Sequence, residues 1–222
     1  HEYGRWVFYP WSGSLVPLLA PSEFRELRTD RNRYKITTQE QAALASKRIG
    51  VVGLSVGQAA AVTMALEGVG GLLRLADLDH LELSNMNRLR AGVHHLGLNK
   101  ALLAAQQIAE IDPYLPVEVF TDGITEQNME AFLDGGGRLD LLIEECDDLY
   151  MKVRIREEAR LRSIPVVMDT SDRGLIDIER FDSEPTRPLF HGLAGSMEAS
   201  SLEGLSTTEK IPYVLRIMGE DR

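Results

Sequence analysis

The chain has 222 residues, 44% of them hydrophobic, with a mean hydropathy of −0.14 and a formal net charge of −10. That charge argues against nonspecific partnership with nucleic acid or an anionic membrane, and no apolar run approaches the ~18 residues of a membrane span. A single cysteine, Cys146, excludes an internal disulfide and a cysteine-built zinc knuckle, and with no visible signal peptide a cytoplasmic protein is expected.

Residues 1–47 carry little periodicity. Trp6–Phe24 mixes aromatic residues with three prolines, which predicts an irregular N-terminal arm packed on another surface. Thr37–Lys47 reads as a short helix capped by its threonine. From Arg48 the pattern turns regular. Apolar strands at 48–53, 72–77, 117–122, 139–146 and 164–170 alternate with helical patterns at 58–67, 99–111, 125–133 and 149–162. Such alternation predicts a Rossmann-like, doubly wound α/β fold with a mainly parallel sheet. Beyond Ser171 the rhythm stops. Residues 183–210 are rich in Pro, Gly and Ser, and Glu209–Gly219 reads as one more helix. The expected plan is an arm over 1–47, an α/β domain over 48–182 and an extension over 183–222. The start at His1 and the end at Glu220-Asp221-Arg222 suggest a piece of a longer protein.

The turn after the first regular strand, Gly53-Leu54-Ser55-Val56-Gly57, admits two chemistries. It spells the G-x-S-x-G elbow of serine hydrolases, with Asp169 and His191 following in a workable order. An elbow usually follows several strands, however, and no HGG-type loop precedes this one. The same turn also suits a loop that presents phosphate to a helix N-terminus. This second reading gathers more residues. Asp77 and Asp79 end the second strand, where an acid accepts bonds from ribose hydroxyls. Asn85, Asn87 and Arg88 in "SNMNR" offer amides and a guanidinium for phosphates or an adenine edge. Lys100 opens a helix, against the dipole's preference for acids, which makes sense if it reaches an anion. Asp148 closes "EECDD" at the end of the fourth strand, where carboxylates can hold Mg²⁺. Taken singly, each feature reads equally well as a solvated turn or helix face.

The order "QAALASKRIGVVGLSVG", "ADLDHLELSNMNRL", "GLNKALLAAQQIAEIDPYLPVEVF", "LDLLIEECDD" and "IPVVMD" resembles the ThiF/MoeB-like superfamily, ATP-dependent activators of ubiquitin-like proteins. What the resemblance implies is an adenylylation site over about Gln41 to Asp169. Gly53, Ser55, Asp77, Asp79, Asn85, Asn87, Arg88 and Lys100 would bind ATP. Arg88, Lys100 and Asp148 would carry the chemistry, with Asp148 on Mg²⁺. The substrate would be the C-terminal carboxylate of a small ubiquitin-like or sulfur-carrier protein. A homodimer is also implied, with Arg31 or Arg33 lent in trans.

Several family features are missing. Ser55, Val56 and Gln58 stand where the family has glycines that let phosphate approach the backbone. Paired C-x-x-C zinc ligands and a thioester-forming cysteine are missing too. A degenerate nucleotide-binding or interaction domain therefore stands as the alternative, and an NAD-dependent oxidoreductase as a further one. Met168–Gly192 also resembles a bacterial subgroup fused to a nitroreductase-like domain.

Overall fold

A computed structural model describes residues 3–170 and 175–218. The regular part is a six-stranded sheet. Its strands are β3 (Arg48–Val52), β4 (Leu72–Ala76), β5 (Val117–Phe120), β6 (Leu141–Glu144), β7 (Val166–Thr170) and β8 (Leu175–Glu179). They lie in the order β5-β4-β3-β6-β7-β8, all parallel except β8, which runs antiparallel to β7. The chain moves outward from β3 to β5, then returns to the other side of β3 to place β6. That reversal makes the β3–β6 junction the topological switch point, where the strand ends part and leave a crevice.

Alternation along the strands builds the two faces. Ile49, Val51, Leu73, Leu75 and Ile143 pack under α3 (Gly57–Glu67) and α4 (Lys100–Ile111). Val52, Ala76, Leu142 and Val166 pack under α5 (Met129–Asp134) and α6 (Leu149–Leu161). Helix α5 starts later than the pattern at 125–133 predicts. Thr125 and Asn128 exchange side-chain and backbone hydrogen bonds, and this local turn holds 125–128 out of the helix. The helix α2 (Thr38–Leu44) has the expected threonine cap, closed as a capping box between Thr37 and Glu40.

The N-terminal arm is more ordered than its sequence suggests. Before α2 it forms a hairpin of β1 (Arg5–Tyr9) and β2 (Ser14–Leu18), then α1 (Pro21–Arg28) and a 3₁₀ turn over Asp30–Tyr34. It docks on the far end of α4 through Tyr114 Oη on the Leu19 carbonyl (2.7 Å) and Arg28 on Asp112 (3.0 Å). The docking hides Tyr9 but leaves Trp6 62% and Trp11 41% exposed, so packing on the chain's own domain does not cover the tryptophans. Helix α7 (Thr207–Met218) occupies the expected C-terminal helix, and its Ile217 enters the core beside Phe190 and Leu202. Gly219, the C-terminal residues 220–222 and the 171–174 part of the nitroreductase-like resemblance lie outside the described residues.

Candidate functional site

A cavity of about 410 Å³ opens at the carboxyl ends of β3, β4 and β6. Gly53, Ser55, Asp77, Asp79, Glu145 and Asp148 are on its wall, beside Val52, Ala76, Ile124 and Met151. Gly53 has φ +82, and a Cβ there would run into the Glu145 carbonyl. Only glycine lets β3 turn this close to β6. Gly57 is just as confined, because an added Cβ would sit 2.6 Å from Val51 Cγ1. Helix α3 therefore begins against the strand it follows, with its N-terminus facing the crevice and no side-chain cap.

Asp77 is the hinge of the site. One of its carboxylate oxygens accepts from the Leu54 amide (2.6 Å) and the other from the Asp79 amide (2.8 Å), so it ties the β3 turn to the β4 end. Burial pushes its carboxyl above the ordinary range, opposed by those two amides and by Lys100. Each oxygen keeps a lone pair for a hydroxyl donor. Lys100 is buried at the first position of α4, and its Nζ donates to Asp79 Oδ2 (2.8 Å) and Ser55 Oγ (3.1 Å). The anion it reaches here is Asp79. Two of its three donors are used among the described residues, which leaves one.

Asp148 caps α6 by accepting from the Met151 amide (2.8 Å), and its second oxygen stands 3.5 Å from Lys210 Nζ. Mg²⁺ takes hard oxygen ligands and needs only one or two carboxylates beside substrate phosphates and water, so this oxygen is of the right type and would take the ion in place of Lys210. No group of three or more His, Cys, Asp or Glu suited to a metal occurs among the described residues.

Two neighbouring glutamates titrate in opposite directions. Burial alone would raise Glu144, but Arg156 and Lys152 outweigh it and hold the carboxyl at about 2. Glu145, which accepts from the Asp169 amide (2.7 Å), is pushed up to about 7 by burial and by Glu144, against that hydrogen bond. Cys146 is pushed well above an ordinary thiol by burial and Glu144, which suits a packed sulfur rather than a nucleophile.

The cavity thus unites Gly53, Ser55, Asp77, Asp79 and Asp148, and Lys100 joins them through Ser55 and Asp79. Asn85, Asn87 and Arg88 are not in its lining. Asn85 accepts from the Glu82 amide (3.1 Å), and Arg88 donates to Asn87 (3.0 Å) on an exposed turn. The serine-hydrolase alternative does not assemble. His191 Nε2 lies 2.8 Å from Asp177 and its Nδ1 accepts from Arg187, while Ser55 is bonded by Lys100. Gln58, read as a blocked glycine, turns its side chain toward α4 and away from the cavity. Arg33 pairs with Asp30 (3.2 Å) and Glu26 on the exposed 3₁₀ turn.

Sequence reading passed over two residues. Asn99 caps α4 and donates to the carbonyls of Asp77 (2.9 Å), Asp79 and Thr121, so one side chain joins three loops at the site. An Asn directly before Lys100 was the available signal. Glu145 had none, since its place between Gly53 and Asp169 depends on strand order.

The ThiF family model matches residues 29–197. Uncharacterized protein MT1398 of Mycobacterium tuberculosis is 54% identical over 98% of this chain and 30% of its own length. The tRNA threonylcarbamoyladenosine dehydratase of Bacillus subtilis is 32% identical over 68% of this chain and 59% of its own. Among solved structures, the E. coli tRNA N6-threonylcarbamoyladenosine dehydratase TcdA in complex with AMP superposes with a TM-score of 0.64 at 28% identity, over 72% of this chain and 65% of that one. Its complex with ATP gives 0.62 over 68% and 62%. The chain therefore spans about a third and under two thirds of the two relatives.

Proposed function

This chain belongs to the ThiF family, and from that premise we propose that its cavity adenylylates a carboxylate with ATP. The observation that carries the reading is the convergence of the Gly53 turn, Asp77 and Lys100 at the switch point. The AMP and ATP complexes of the E. coli neighbour support a nucleotide in the matching fold. In the reaction, a substrate carboxylate oxygen bonds to the α-phosphorus and the bond to the pyrophosphate oxygen breaks, giving an acyl-adenylate. Asp77 accepts from the ribose. Lys100 and Arg88 hold the phosphoryl oxygens and offset the charge that develops on them. Arg88 has to leave Asn87 and swing its side chain in from the exposed turn to do so. Asp148 would hold Mg²⁺, which supplies further charge neutralisation on the phosphates.

The carboxylate we propose is the C-terminus of a small ubiquitin-like or sulfur-carrier protein. A second reading, a carboxylate carried on a tRNA, is favoured by the dehydratase relatives' names and opposed by the net charge of −10. A homodimer belongs to the same proposal, with Arg31 or Arg33 lent across the interface. Its support is the apolar surface left open by Trp6, Phe8 and Leu15 on the hairpin and by Ile176 and Ile178 on β8. The nitroreductase-like fusion and a cytoplasmic setting remain parts of the proposal, to be tested by reading the gene on either side and by fractionating cells.

Calorimetry with ATP and Mg²⁺ tests binding, and exchange of labelled pyrophosphate into ATP in the presence of a peptide ending in Gly-Gly tests chemistry. Saturable binding with peptide-dependent exchange is expected. No heat at millimolar ATP would overturn the reading, and binding with no exchange for peptide or tRNA would leave the degenerate domain. Sedimentation at only 24.7 kDa would remove the dimer and the trans arginine.

A further inference from the structure

Gln58 stands where the family resemblance expects glycine, yet it is almost fully buried and points away from the cavity. Both ends of its amide are engaged. Oε1 accepts from the Arg90 amide (3.0 Å), and Nε2 donates to Gln107 Oε1 (2.8 Å) and, at 3.4 Å, to the Arg90 carbonyl. Gln107 Nε2 donates to that same carbonyl. One glutamine from α3 and one from α4 thus grip both polar groups of a single backbone residue. Arg90 ends the exposed turn that carries Asn85, Asn87 and Arg88. The next residue toward Arg88, Leu89, is buried with Leu81 and Leu103. The turn is therefore pinned at its base while its tip stays in solvent.

We propose that Gln58 is a positioning residue that, with Gln107, fixes the Asn85–Arg88 turn so that Arg88 can reach the phosphates of bound nucleotide. The proposal rests on the adenylylation reading and deepens it: the loss of a loop glycine is matched by a clamp on the neighbouring phosphate-binding turn. A glutamine serves here because its amide presents a donor and an acceptor together, matching the acceptor and donor of a peptide group. Buried groups with both sides satisfied hold a segment rigidly, and a segment already ordered loses less entropy on binding.

Gln58→Met keeps the volume and removes the clamp, and Gln107→Met repeats the test from the half-buried α4 side should the first variant fold poorly. Without nucleotide, amide exchange at Arg90 should quicken by about tenfold or more in Gln58→Met, because its acceptor is gone. ATP affinity should weaken by about fivefold to tenfold in either variant. In an Arg88→Ala background the same substitutions should weaken it no further, since the clamp acts through Arg88. A merely structural glutamine would lower affinity equally in both backgrounds. Additive losses, or unchanged ATP affinity in both variants while the parent chain binds ATP, overturn the clamp. A parent chain that binds no ATP overturns the adenylylation reading instead, and unchanged Arg90 exchange then overturns the clamp separately.

Discussion

Replacing Lys100 by methionine isolates the charge at the centre of the site. The lysine stem is buried, and methionine fills nearly the same space, so little packing is lost. What disappears is the ammonium and its bonds to Asp79 and Ser55. Asp79 is 58% exposed on its side chain, so water replaces its partner, and the lost pair costs about 0–1 kcal/mol of stability, as for surface pairs. Toward a phosphate the same ammonium is worth more, because it is buried behind Ser55 and Asp79 and water screens it poorly. A charge-assisted hydrogen bond contributes about 1.5–3 kcal/mol, which predicts ATP binding weaker by about tenfold to about 150-fold. Calorimetry with ATP and Mg²⁺, run beside a thermal melt, separates the two effects. Affinity should fall steeply while the melting temperature hardly moves. Asp79→Asn should act the other way, leaving Lys100 freer to meet phosphate and binding unchanged or tighter. An affinity within about twofold of the parent in folded Lys100→Met would refute the placement of Lys100 on the phosphates.

Glu145 gives a pH test. Its carboxyl rises from 4.5 to about 7 on folding, so the folded state keeps a proton that the unfolded chain releases. Its stabilising contribution is complete below 4.5 and is lost as pH rises through 7. Melts of Glu145→Gln against the parent should therefore converge at low pH and show the variant gaining over this interval; parallel curves would count against the assignment. Arg156 lies fully buried between Glu144 and Glu179, with its guanidinium 4.4 Å from the Phe190 ring. Arg156→Met should lower unfolding free energy by about 3–5 kcal/mol in urea, because two buried carboxylates lose their cation. Gly53→Ala should cost about 1–3 kcal/mol and impair nucleotide binding, since the turn cannot keep its φ of +82 against Glu145; a stable variant with parental ATP affinity would contradict the close approach of β3 and β6. Fluorophosphonate probes should leave Ser55 unlabelled, and stoichiometric labelling would revive the hydrolase.

Local chemistry made much of this protein legible in its sequence. The alternation from Arg48 to Thr170 encodes strands and helices because each element must bury one side, and that period survives in any packing. Thr37 and Glu40 announce a helix start, and Gly53 announces a turn no other residue could make, so the β3–α3 corner and its ligand-facing end were readable. The same holds for Asp77, which sits at a strand end beside that corner in any doubly wound sheet. Tertiary structure decided the rest, where the deciding contact lies far along the chain. Strand β8 turns antiparallel by pairing with β7, and its alternation of Ile and acid makes sense only once Asp177 and Glu179 meet His191 and Arg156. The arm's hairpin is too short to show a period and is fixed by docking on α4. Glu145 becomes a poised acid because β6 lies between β3 and β7, which buries it next to Glu144. Gln58, which in sequence only spoils a glycine loop, acquires its partners when α3 and α4 come together over the sheet and bring Gln107 and the Arg90 backbone within reach of one amide.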